Sequence, residues 1–121
     1  MRATRIVTCL LLLCGLALPA TADAAAEDCI NACGAKYQNT NKVMESVACL
    51  NPCLETFARE MRAAEGLLGA DRVQCGLACI QRMRDGLAVC SGMGNTVNGG
   101  LCMETKANSF EHCIDECGFQ E

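Results

Sequence analysis

Twelve cysteines are the residues of this chain whose chemistry and spacing form a pattern. Four times two of them stand four residues apart, at Cys29/Cys33, Cys49/Cys53, Cys75/Cys79 and Cys113/Cys117, with Cys90 and Cys102 between the last two pairs. Cysteine sulfur can ligate a metal, exchange electrons or cross-link a chain. Zinc needs reduced thiolates, usually in short knuckles set close together, and redox motifs of this kind are written CxxC, a spacing this sequence lacks. On a helix, cysteines at i and i+4 share a face with Cβ atoms ~6 Å apart, beyond the ~3.8 Å that a disulfide spans. Each must therefore bond to a different segment, and cross-linking is the chemistry that fits.

Other reactive side chains are sparse. His112 is the only histidine and lies between Glu111 and Cys113, with no paired nucleophile to activate, so a surface or capping role is expected. Glu111, Asp115, Glu116 and Glu121 gather near the C-terminus without the spaced loop of an EF-hand, which makes a solvated acidic face. Ser91 to Gly100 contains glycines but neither the preceding strand nor the lysine of a phosphate loop. The expectation is a chain with no catalytic, cofactor-binding or metal residues, and not an enzyme.

The N-terminus indicates where disulfides could form. Arg2 and Arg5 precede an apolar stretch from Ile6 to Leu18, and Pro19 is followed by small residues. This reads as a secretory signal peptide over residues 1–26, cleaved between 22 and 26 after Ala22, Ala24 or Ala26. The stretch is shorter than the ~20 residues of a membrane span, so no span is expected. Secretion leads through an oxidising compartment to an extracellular location. From Glu27 onward the chain keeps ten cysteines, an even number that fits five bridges. It also keeps eight basic and thirteen acidic side chains, a net of −5 that argues against nucleic acid as a partner.

The helices that must carry these cysteines follow from mirror symmetry. Cys29 and Cys33 reflect Cys49 and Cys53 about Asn41, while Cys75, Cys79 and Cys90 reflect Cys117, Cys113 and Cys102 about Thr96. Two antiparallel helices joined at those midpoints would bring the reflected cysteines level, predicting Cys29–Cys53, Cys33–Cys49, Cys75–Cys117, Cys79–Cys113 and Cys90–Cys102. The eleven-residue steps from Cys79 to Cys90 and from Cys102 to Cys113 are three helical turns, ~16.5 Å, so the rungs stay in step.

The predicted fold class is all-α, with two disulfide-nested antiparallel helical hairpins packed as a small four-helix unit. Residues 27–121 make one domain, with hairpin 1 at about 27–68 and hairpin 2 at about 71–119. The first helix is expected from Glu27 to Gln38. The second carries a seam of Val43, Val47, Leu50, Leu54, Phe57, Met61, Ala64 and Leu68. Pro52 must either kink that helix or start a new one capped by Asn51. Asp71 with Gln74 predicts a capping box for the third helix, Ser91 to Gly100 a flexible tip, and Asn108 with Glu111 a second cap that breaks the fourth helix.

The first unit, Cys29-xxx-Cys33, fifteen residues, Cys49-xxx-Cys53, resembles in spacing the secreted α-hairpinin defence peptides and related helical-hairpin toxins. It also resembles the small Tim chaperones of the mitochondrial intermembrane space, which carry no secretory leader. Both resemblances imply the nested topology of first to fourth and second to third cysteine. The second unit departs from both, with a longer insert and an extra cysteine pair.

Two functions from different classes follow. One is a secreted, toxin-like ligand or effector that recognises an extracellular or membrane-displayed protein, with Met93, Val97, Leu101 and Met103 as the recognition residues around the tip. The other is an extracellular carrier of a small apolar ligand or lipid, held between the Val43 to Leu68 seam and the second hairpin. The same seam could instead join two copies, leaving monomer and homodimer both open.

Overall fold

The computed structural model of the protein describes residues 21–119. The expected signal segment lies mostly outside these residues, and its last six positions, 21 to 26, are helical. The helices are α1 (Thr21–Tyr37), α2 (Val43–Ala63), the single turn α3 (Glu65–Leu68), α4 (Ala70–Gly92) and α5 (Val97–Ile114), followed by a wide turn over Asp115–Phe119. The fold is all-α: α1 and α2 form one antiparallel hairpin, α4 and α5 the other, and the two meet mainly through α2 and α4.

Disulfides lace each hairpin from within. Cys29 is bonded to Cys53 and Cys33 to Cys49 in the first, and Cys75 to Cys117, Cys79 to Cys113 and Cys90 to Cys102 in the second. The paired Cα atoms are 5.5–5.9 Å apart, which holds the helix axes closer than large side chains would permit. Neighbouring rungs stack, with Cys33 Sγ 3.7 Å from Cys53 Sγ and Cys79 Sγ 3.6 Å from Cys117 Sγ. With three Phe, one Tyr and no Trp, the buried sulfurs supply much of the bulk that aromatics provide elsewhere.

Between the hairpins the core is aliphatic and aromatic. Five of the seam residues on α2, Val43, Val47, Leu54, Phe57 and Met61, are buried against Val73, Ile80, Met83 and Leu87 of α4 and Phe110 and Ile114 of α5. Phe57 meets Phe110 edge-on at 6.3 Å, a geometry that places a positive ring edge on a negative face. Gly76 is what lets α2 come so close to α4: a Cβ there would collide with the Met61 thioether and press on the Phe119 ring at 3.2 Å.

Several local expectations are corrected. α1 starts at Thr21 rather than Glu27, and α2 passes through Pro52 without restarting, the Cys53 and Cys49 bridges on either side holding its two turns to α1. The seam helix ends at Ala63 rather than Leu68, and its last expected turn is the separate α3. Asp71 caps nothing. Gly69, at φ 92°, makes the break two residues earlier, and Asp71 sits in the first turn of α4, where a carboxylate still favours the dipole. Asn108 does not break α5, because its side chain is exposed and leaves the backbone ladder to Phe110 and Ile114 intact.

The ten-residue flexible tip is replaced by a turn over residues 93–96. α4 runs on to Gly92, and Thr96 starts α5 by accepting a hydrogen bond from the Gly99 amide at 2.9 Å. The turn is pinned to the other hairpin by Asn95. Lys42, which precedes α2, gives that helix no side-chain cap. Asn95 Oδ1 accepts instead from the Met44 amide at 2.9 Å, and Asn95 Nδ2 donates to the Glu45 carboxylate at 3.2 Å. An orphan amide of one hairpin is thus satisfied by the tip of the other.

Two stability measurements follow. Asn95→Ala removes a cap supplied across the hairpins and is expected to lower unfolding free energy by about 1 kcal/mol in denaturant titration; an unchanged midpoint would show that Met44 and Glu45 do not depend on it. Cys90→Ser with Cys102→Ser reopens the innermost loop, sequence separation 12, with an expected cost of about 3 kcal/mol. Retention of wild-type stability would mean that the outer rungs alone fix the second hairpin.

Candidate functional site

α1 and α5 each flank the α2–α4 contact but do not pack closely on one another. α1 lines the space between them with Ile30, Asn31, Gly34 and Tyr37, and α5 lines it with Val97, Leu101, Glu104 and Ala107, so that Gly34 and Ala107 are among the positions projecting least into it. What remains is a cleft of about 560 Å³, within the usual range for small-ligand sites. Its floor is Val43, Leu50 and Leu54 of α2 with Met83 and Phe110, and its mouth at the tip end is framed by Tyr37, Lys42, Val97 and Leu101.

Gly34 leaves open space where its side chain would be: an added Cβ meets nothing within 4 Å. The tip end of the cleft is closed more tightly. Gly99 brings the α5 backbone onto Val43, and Gly100 brings it onto the Asn41 side chain at 2.5 Å from a virtual Cβ. Asn41 and Asn39 hold φ of 57° and 62° in the turn between α1 and α2, a left-handed conformation that asparagine tolerates better than most residues. Charge along the cleft is uneven. Among the described residues Lys42 is the only basic one lining it, at the tip end, while Glu104 and Glu111 lie farther along α5.

The four residues expected to mediate recognition do not share one face. Met93, Val97 and Leu101 are exposed, at 45%, 65% and 56%, whereas Met103 is half-buried against the core. Val97, Leu101 and Met103 line the cleft; Met93 lies across α5 from it, in a shallow depression that it shares with Leu101 and Lys106. Leu101 belongs to both surfaces.

Sequence reasoning missed two further exposed apolar residues at this end, Met44 (52%) and Val89 (58%). Val89 stands one turn before Met93 on α4, a spacing that could have revealed it. Met44 could not have been found that way, since tertiary contacts of Asn95, Gly99 and Gly100 bring the start of α2 beside the tip. Gly34 and Ala107 also gave no signal, because they act by leaving space.

The remaining chemical candidates sit elsewhere. His112 is exposed and pairs with Glu116 one turn on, Nε2 to Oε1 2.7 Å, at the surface. The sulfurs of Cys75, Cys79 and Cys117 lie within 4.8 Å of one another, yet their proximity comes from two stacked disulfide rungs, which leave no thiolate to hold a metal. Among the described residues no helix is long and apolar enough to cross a membrane. No family model, curated protein or solved structure matches the chain.

Proposed function

We propose that the mature chain is a secreted, non-catalytic polypeptide that recognises another protein, extracellular or membrane-displayed, through the end of the molecule where the two hairpin tips meet. The observation that carries this reading is the exposure of Met44, Val89, Met93, Val97 and Leu101 there. A chain with so few large apolar residues to fill its core leaves five of them in water at one end. Such a patch on a small protein is a feature of binding surfaces. Bridges and the Asn95 contact hold that end in one shape, so a partner would meet a surface with little entropy left to lose. Methionine adds adaptability at its edge.

The disulfides support an oxidising destination. Ala26 bears on the maturation site: at 1% exposure it is part of the core. A cut after Ala22 or Ala24 keeps it, whereas a cut after Ala26 takes it away.

A second reading is favoured by the cleft itself. Its apolar floor is formed by the α2 seam and by the second hairpin, the placement expected for a carrier of a small apolar ligand. The two readings use adjoining surfaces and are separable by experiment.

Val97→Asp with Leu101→Asp places charges on exposed turns of α5 and is expected to leave helicity unchanged by circular dichroism. Used as bait against extracellular fluid or target membranes, the double variant should recover on the order of tenfold less of any partner that the wild-type protein binds, from ~1–2 kcal/mol of lost apolar burial. Equal recovery by both proteins, or none above background by either, overturns recognition through this end.

A further inference from the structure

Resting on the carrier reading, we infer that the cleft takes a single-chain amphiphile, with its alkyl chain lying between α1 and α5 and an anionic head at the Lys42 end. Shape and lining carry the first half of the inference. The residues lining the α5 wall run from Val97 to Glu111, fourteen steps or ~21 Å at 1.5 Å per residue.

The lining decides among occupants. A polypeptide laid on the floor of Val43, Leu50, Leu54, Met83 and Phe110 would press backbone N–H and C=O groups against side chains that cannot hydrogen-bond them. An alkyl chain carries no polar groups to leave unpaired. The floor of Leu, Val, Met and Phe offers such a chain apolar contact along its length.

Charge carries the second half. A carboxylate head placed along the α5 wall would lie beside Glu104 or Glu111, and like charges in a partly closed site repel. At the tip end it would instead find Lys42, with the side-chain amides of Asn39 and Asn41 and the Tyr37 hydroxyl as further donors. The apolar floor and the cation at one end therefore give the ligand a direction.

The test compares three ligands that share one chain and differ in the head: palmitate, hexadecanol and hexadecyltrimethylammonium. Each is titrated against a neutral fluorescent reporter bound to the oxidised mature protein. The expected order is palmitate tightest and the cation weakest, with Lys42→Ala weakening palmitate roughly tenfold, to the level of hexadecanol, and leaving hexadecanol unchanged. Gly34→Phe, which directs a ring into open space in the cleft, should abolish binding of all three while circular dichroism and the bridges are retained. If that variant does not fold, Ala107→Trp fills the cleft from the exposed opposite wall.

Each result counts. Failure of all three ligands to bind the wild-type protein overturns the carrier reading, and this inference with it. Equal binding of all three, unaffected by Lys42→Ala, overturns the placement of the head and leaves the carrier reading standing. Full binding in the cleft-filled variant shows that the ligand sits elsewhere and overturns the site.

Discussion

A cysteine cannot bond to the cysteine one helical turn away, and that geometric prohibition organises the whole molecule. Each CxxxC has to find a second helix, and a second CxxxC accepts both sulfurs only if it runs antiparallel and in register. The hairpins follow, with their turns at the midpoints of the cysteine pattern, at Asn41 and Thr96. The structure uses both midpoints as special positions: Asn41 takes a left-handed backbone, and Thr96 caps α5. Rungs also shorten the helix separation so far that large aromatics become unnecessary within a hairpin. The apolar side chains are thereby released to join one hairpin to the other.

That division of labour explains the cleft. Among the described residues every bridge lies inside a hairpin and none crosses between them. The hairpins are held together by the α2–α4 core, by the Asn95 cap, and by an exposed Arg84–Glu55 pair at 3.5 Å, which contributes little in water. Sulfur fixes each pair of helices rigidly, while apolar packing sets the angle between the pairs. α2 and α4 close on one another through the core, whereas α1 and α5 line the cleft from opposite sides, with Gly34 and Ala107 among longer side chains, and stay apart.

How much of this could be read in the sequence depended on whether a signal was local and periodic. The helical class and the α2 seam were legible because cysteines and apolar residues recur at helical spacing, and Val43, Val47, Leu54, Phe57 and Met61 are buried as that spacing requires. Termini were less so. Asp71 with Gln74 has the letters of a capping box, yet Gly69 had already made the break. The Gly- and Asn-rich run from Ser91 looks like a loop by composition, but Gly99 and Gly100 pack against Val43 and Asn41 within α5, and the turn that remains is short, with Gly94 at φ 69°. Propensity lost to tertiary contact at Gly99 and Gly100, and to the backbone of a nearby glycine at Asp71. The Asn95 cap and the cleft were invisible for a stronger reason: one joins residues about fifty positions apart, and the other consists of side chains that do not reach.

The two proposed surfaces cannot be independent. Val97 and Leu101 frame the mouth of the cleft and also belong to the exposed tip, and both lie on the first turns of α5, which rest on Asn41 and Val43. A chain lying in the cleft would cover part of these side chains and bear on the turn that Asn95 pins. Whatever binds at the tip would then meet a surface whose apolar area depends on whether the cleft is filled. Thermodynamic linkage makes such an effect reciprocal, so a partner that favours the filled state must tighten the ligand by the same factor. With the helices inside each hairpin locked by sulfur, the compliance available for that coupling is the angle between the hairpins, which none of the five bridges restrains.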